Sequence, residues 1–305
     1  MNHTAELEKA LTELKRITGI SLEIHAQTDE ETLQALEQLK LLSSAYKEKY
    51  NRTHFLQSLM TDSIPTYNVY DRAARLQSAP EEPRVLYLLE TGHGMDETIS
   101  EILKNLFPSQ SGVFRIPLTE NSHAILYPVK LLADSSPETV HHTARMIVDT
   151  LNAEALARVR VSYSKTLHSL LELSSAFRET SLALKVGKLF YSEQTVFPYN
   201  RLGIGRLIYR LPTSLCENFL HEIFGEEIPQ SLDEETTATL NKFLQNNLNI
   251  AETSRQLHMH RNTLIYRLEQ IEKRTGLDLR QFEDAMTFKI ASMVMNYLYT
   301  ERNTS

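Results

Sequence analysis

Five apolar residues stand in a row at Val85-Leu86-Tyr87-Leu88-Leu89, directly after Pro83-Arg84. A strand sends successive side chains to opposite faces, so a run without alternation is apolar on both faces. Such a strand needs cover on both sides and belongs in the centre of a sheet. The segments around it supply the cover. Ile99, Ile102, Leu103 and Leu106 recur at helical spacing, and Pro137 opens a helix that can run to Leu156. Gly112–Leu118 and Ser122–Pro128 read as two strands joined through Thr119-Glu120-Asn121, a hairpin. Val159–Tyr163 reads as a further strand and Leu167–Phe190 as a further helix. The order strand, helix, hairpin, helix, strand, helix implies helices covering a mixed sheet.

The flanks of this region are helical. Glycine accounts for only 9 of 305 residues, which favours helix and disfavours a glycine-rich phosphate cradle. Leu7, Leu11, Leu14 and Ile17 share one face of a helix over 5–17, with Gly19 as its stop. Ser21-Leu22-Glu23-Ile24 reads as a short strand. Residues 30–60 form a longer helix, roughly 45 Å if continuous, through Leu33, Leu36, Leu39, Tyr46, Tyr50, Leu56 and Leu59. It either packs on its own chain or forms a dimer. Residues 61–83, with Pro65, Pro80 and Pro83, read as a connection, and the acidic stretch 225–235 as a hinge.

Charge narrows the function classes. The net charge is −7, which disfavours non-specific attraction to nucleic acid. Residues 250–281 depart from that average: six basic against four acidic residues give +2, leaving −9 for the rest. The lone Cys216 forms no internal disulfide, and the chain begins without a basic-then-apolar leader. No apolar run approaches the roughly 20 residues of a membrane span. A cytoplasmic protein without membrane attachment is expected.

The basic segment has a specific shape. Asp233 can cap a helix over 234–246 whose Leu240, Phe243 and Leu244 face a core; 246–249 breaks it. Asn249 with Glu252 makes a capping-box pattern for a short helix ending at Leu257. His258-Met259-His260 is a three-residue turn, and a third helix runs from Arg261 to about Arg274, stopped by Gly276. A short helix, a tight turn and a longer helix make a helix-turn-helix. The scaffold residues are Ser254, small enough for the helix crossing, Leu257, the apolar plug Met259, and Leu264 and Leu268 facing inward. The outward face at the start of the third helix carries His260, Arg261, Asn262 and Thr263. That end enters the major groove, where arginine reads guanine and asparagine reads adenine. Tyr266 and Arg267, one turn on, suit phosphates. Glycine is common in such turns, and His258 stands in its place.

The run from Asn249 to Leu268, continued by Glu272 to Leu279, resembles the C-terminal helix-turn-helix of bacterial purine-catabolism and sugar-diacid regulators, the PucR/CdaR type. The resemblance covers about 60 residues, Thr239 to Leu298, and is looser to the DNA-binding end of the Fis nucleoid protein. It places Arg261 at the position expected to reach bases. Ser254 departs from the more usual alanine.

The same family carries a middle domain related to diguanylate cyclases, and residues 84–212 are similar to it. Phe177-Arg178-Glu179 before Ala183-Leu184 resembles its Tyr-Arg-Glu-Ala helix, and Arg201-Leu202-Gly203 its closing motif. An active cyclase needs a Gly-Gly-Asp/Glu-Glu-Phe hairpin, with glycines admitting phosphates and carboxylates holding Mg²⁺. Here that hairpin reads Leu118-Thr119-Glu120-Asn121-Ser122-His123-Ala124, with no glycine pair and one carboxylate. A GGDEF-like domain that signals or dimerises is expected; the alternative is a nucleotide-binding or cyclase-type enzyme. Ahead of it, Leu11 to Ile24 resembles the opening of the longer sensor found in this family.

Other candidates for chemistry are weak. His141 and His142 diverge by about 100° on a helix, share no ion and are expected to face solvent. His258 and His260 lack a third ligand, and Cys216 reads as core. Phosphate-loop, Gly-x-Ser-x-Gly and His-Glu-x-x-His motifs are absent from the sequence. The fold expected is mainly α with an α/β middle domain. Its parts are an N-terminal helical region (1–79), a degenerate GGDEF-like α/β domain (80–225) and a C-terminal helix-turn-helix bundle (226–305). The resemblance implies a dimeric, sequence-specific transcriptional regulator of sugar-acid or related carbon and nitrogen catabolism. Its partners would be double-stranded operator DNA, a second copy of the chain and a small-molecule effector. No cofactor, metal or catalytic residue is assigned.

Overall fold

A computed structural model describes residues 3–18, 20–24, 28–76, 78–92 and 94–304. Two compact units divide the chain, Met1–Ser181 with Thr195–Tyr199, and Leu182–Gln194 with Asn200–Ser305. The acidic stretch 225–235 lies inside the second.

The first unit begins with α1 (His3–Thr18) and α2 (Asp29–Met60), which pack together through Leu7, Leu14, Leu36 and Leu39. Thr28 caps α2 by accepting from the Glu31 amide. Residues 20–24 are not a strand: Ile20 and Leu22 are exposed, and no second strand pairs with them among the described residues. The proposed stop at Gly19 and the inward faces of Ile17 and Tyr50 lie outside the described residues. The connection at 61–83 contains a helix, α3 (Val69–Arg75), with Val69 and Ala73 buried. Its seven residues are too few to show periodicity.

β1 (Arg84–Thr91) is the central strand. The sheet continues with α4 (Glu97–Leu106), the hairpin β2 (Phe114–Thr119) and β3 (Ser122–Pro128), α5 (Pro137–Ala155), β4 (Val159–Tyr163), α6 (Leu173–Phe190) and β5 (Val196–Pro198). The strand order is β2-β3-β1-β4-β5, antiparallel except for β4 with β5. Val85, Tyr87 and Leu89 pack with Ile99, Leu103, Val140 and Ile147 from α4 and α5. On the opposite face, Ser162 Oγ donates to the Thr180 carbonyl of α6 at 2.8 Å. The register shifts between Pro117 and Thr119, beside a proline that has no amide to donate. α6 starts later than expected, because Leu167 exchanges two backbone hydrogen bonds with Arg84 (2.9 and 2.7 Å) and Ser169 caps a separate turn at 170–172. β5 was not anticipated, since three residues carry no alternation. His141 is not simply solvated, for its Nδ1 lies 3.1 Å from the Tyr163 hydroxyl.

The second unit holds α7 (Gly205–Ile208), α8 (Thr213–Phe224), α9 (Glu234–Gln245), α10 (Ile250–Gln256), α11 (Arg261–Thr275) and α12 (Phe282–Thr304). α12 serves two cores. Ala291, Val294 and Leu298 join Cys216 and Leu220 of α8, while Ala285 and Phe288 join Leu240, Phe243, Leu264 and Leu268.

Candidate nucleic-acid interface

The helix-turn-helix is built by short-range rules. Asp233 Oδ1 accepts from the Thr236 amide at 2.7 Å, which holds this carboxyl below the usual range and starts α9. α9 ends with Asn247 and Leu248 at φ 51° and 61°, the Leu248 amide reaching the Phe243 carbonyl at 2.9 Å. Asn249 caps α10 by accepting from the Glu252 amide at 3.1 Å. Asn246 Nδ2 donates to Thr253 Oγ1 at 3.2 Å, tying α9 to α10.

The turn between α10 and α11 is a complete left-handed cap. His258 has φ 53°, its amide reaches the Arg255 carbonyl (3.2 Å), and the Met259 amide reaches the Ser254 carbonyl (2.9 Å). This is the position where glycine costs least, and a histidine occupies it. Ser254 is buried and donates its hydroxyl to the Ala251 carbonyl at 3.0 Å. Leu257 and Met259 are half-buried, with Met259 packed on the core formed by Leu264 and Leu268.

His260 caps α11, its Nδ1 accepting from the Asn262 amide at 3.3 Å. Arg261, Asn262 and Thr263 follow on the exposed first turn, and Tyr266 is 60% exposed one turn on. The structure therefore brings His260, Arg261, Asn262, Thr263 and Tyr266 to one surface at the positive end of a 15-residue helix. Arg267 is not brought there. It turns back to α9, donating through Nη1 to Thr239 Oγ1 (3.2 Å) and through Nη2 to Glu235. A quarter of its side chain is exposed, and these bonds link α9 to α11.

Pairing thins the basic patch. Arg255 donates to Glu252 at 2.6 Å, and Arg280 donates to Asp278 (2.6 Å) and Glu272 (2.9 Å). Those hydrogen bonds push the Glu252 and Asp278 carboxyls down and both guanidiniums up. Among the described residues, Arg261, Lys273 and Arg274 form no ion pair, though Arg274 lies near enough to Asp233 to favour its charge. Three of the six cations are paired; of the other three, Lys273 and Arg274 lie in the last turn of α11 and Arg261 alone at its start. The pairs were partly legible, since Glu252 with Arg255 is an i, i+3 pair on a helix. The Glu235–Arg267 pair, 32 residues apart, had no local signal.

Comparison with known proteins bears on this region. The model of the PucR C-terminal helix-turn-helix domain matches residues 236–294. A purine catabolism regulatory protein of Bacillus subtilis (strain 168) is 30% identical over 142 residues, 46% of this chain and 27% of that protein. A carbohydrate diacid regulator of Escherichia coli (strain K12) is 23% identical over 263 residues, 84% of this chain and 68% of that protein. A proline-responsive transcriptional activator of Bacillus subtilis is 26% identical over 143 residues, 45% of this chain and 34% of that protein. The chain thus spans between about a quarter and two thirds of the length of these relatives. Residues 236–294 match the PucR C-terminal helix-turn-helix domain, and the chain is similar to regulators of the PucR and CdaR type.

Proposed function

We propose that this chain is a sequence-specific DNA-binding transcriptional regulator that lays the first turns of α11 in the major groove. The observation that carries the reading is the unpaired, exposed Arg261 beside Asn262 and Thr263 on the second helix of a PucR-type helix-turn-helix. Arg261 reads guanine, Asn262 reads adenine, and the α11 N-terminus with His260, Thr263 and Tyr266 binds backbone phosphates. Arg267 fixes the angle of α11 on α9. One module of this size buries limited surface, so the chain binds two half-sites as a homodimer. Exposed Leu41 and Leu42 support the dimer-forming alternative for α2. The target genes belong to carbon or nitrogen catabolism, as the names of the relatives suggest, with sugar-acid genes the first candidates.

The functional division we assign is 1–79, 80–225 and 226–305, the middle part being a GGDEF-like domain that signals or dimerises. The protein acts in the cytoplasm and is not an enzyme. No described helix is long and apolar enough to cross a membrane. The cyclase alternative would need a phosphate-admitting hairpin, and the β2–β3 turn instead closes with Thr119 Oγ1 and Ser122 Oγ at 2.7 Å. Fluorescence anisotropy of the full chain with DNA fragments from beside its own gene tests the reading. Saturable binding to one fragment in excess of random DNA is expected; equal binding to all, or Mg²⁺-dependent turnover of GTP, refutes it.

A further inference from the structure

The three helices α9, α10 and α11 do not start alike. Asp233 caps α9 and Asn249 caps α10, and both belong to the residue types that serve best at that position. α11 starts on His260, which lies outside that group. Its backbone is extended, as a cap requires, at φ −69° and ψ 144°. Its Nδ1 accepts from the Asn262 amide at 3.3 Å, and its carbonyl accepts from the Thr263 and Leu264 amides at 2.9 and 3.3 Å.

That side-chain hydrogen bond fixes the chemistry of the ring. A backbone amide only donates, so Nδ1 is the unprotonated nitrogen. The one proton of the neutral imidazole then sits on Nε2 and makes it a donor. Nε2 lies on the far side of the ring from the amide that Nδ1 faces. Among the described residues no group accepts from it, and His260 is exposed beside Arg261, Asn262 and Thr263. An aspartate would close the helix as well, but would set a negative charge beside Arg261. A serine would close it and reach no further. The imidazole closes it and still presents an N–H beyond the helix end.

We propose that His260 has two linked tasks: Nδ1 holds the first turn of α11 closed, and the Nε2–H fixed in this way donates to a phosphate oxygen of the DNA backbone. The contact lies beside the bases that Arg261 and Asn262 read, so it rests on the major-groove reading of α11. It deepens that reading by setting how far the helix start advances into the groove, since phosphate contacts position and base contacts specify. The donor is neutral, so the contact adds affinity without adding to the counterions released from DNA.

Two measurements on the full chain test the proposal. Long-range ¹H–¹⁵N spectra of ¹⁵N-histidine-labelled protein at pH 8, with His260 assigned by its loss in His260→Ser, report the tautomer. The Nε2–H form is expected, and an Nδ1–H ring overturns the proposal whether or not the chain binds DNA. Fluorescence anisotropy at pH 8, with a fragment from beside its own gene and with random DNA, measures the donor. His260→Ser keeps a capping oxygen and loses the N–H. It should melt with the parent, bind both DNAs about tenfold more weakly, and keep the parent's salt slope. His260→Ala loses the cap too and should melt earlier than His260→Ser. Unchanged DNA binding by His260→Ser overturns the proposal. So does a loss confined to one fragment, which would mark a base contact, or a slope shallower by about one, which would mark a charged ring. A parent that binds every fragment equally would sink the operator reading alone, because weaker binding of His260→Ser to all DNA would still report the phosphate contact.

Discussion

In the α9–α11 bundle, every helix start is closed by a side chain within three residues of the amide it accepts from: Asp233 on Thr236, Asn249 on Glu252, His260 on Asn262. In the sheet, by contrast, Leu86 lies opposite Leu126 of β3, while Leu88 faces Ser162 of β4. The first region is specified by neighbours in sequence, the second by pairings that must be found across long loops. The bundle can therefore present a fixed surface from a short stretch of chain, and its weak points are its few large core residues. The sheet distributes its stability over many strands and can carry a cavity at its edge.

Phe243→Ala breaks this contrast most strongly. Phe243 is fully buried between Leu240, Leu264 and Phe288, and its loss should cost about 3–5 kcal/mol. Hydrogen exchange should show amides of α9 to α11 losing protection while β1 and β3 keep theirs. Equal loss in the strands would mean that the two regions unfold as one and that the distinction is empty.

Arg261→Ala sharpens the contrast at the surface of the bundle. It should cost about 1–3 kcal/mol of preference for operator over random DNA, read by anisotropy at fixed salt. Arg267→Ala makes the complementary measurement. If Arg267 serves only to fix α11 on α9, the variant melts earlier while the slope of log K against log salt stays as in the parent. A slope shallower by about one unit would return Arg267 to the phosphates.

These pairs of variants mark where the sequence was legible. The apolar run Val85–Leu89 announced the central strand, and the caps at Asp233 and Asn249 announced α9 and α10, because each signal lies within one turn or one strand. α3 and β5 carried too few residues for a period to show. Ser21–Ile24 looked like a strand because four residues can alternate by chance, and no neighbouring strand takes them up among the described residues. At the site, the outward residues of α11 followed from helical geometry, whereas the turn of Arg267 towards α9 had no local signal, because its partners, Glu235 and Thr239, sit on a different helix. The cavity near His123 was invisible for the same reason, since its lining comes from four elements.

His258→Gly tests the turn itself. A non-glycine residue at φ 53° carries roughly 1–2 kcal/mol of backbone strain, part of which glycine returns through its greater freedom in the unfolded chain. A net gain of about 0.5–1 kcal/mol is expected in the melting of the second unit. A loss instead would mean that the exposed His258 side chain makes a stabilising contact that outweighs the strain.

The smallest effect expected lies on the sheet side and depends on pH. Burial, opposed by a backbone hydrogen bond at Ser122 and reinforced by Arg115, holds the folded His123 below its ordinary value of 6.5. Above pH 6.5 the imidazole is neutral in both states and costs nothing. As pH falls below 6.5, the unfolded chain binds a proton there before the folded chain does. Stability from this group is thus complete above pH 6.5 and declines as pH drops towards the lowered folded value. Urea midpoints measured between pH 7.5 and 5 should fall less steeply for His123→Gln than for the parent. Parallel curves for parent and variant would show that His123 is not held neutral in the folded chain.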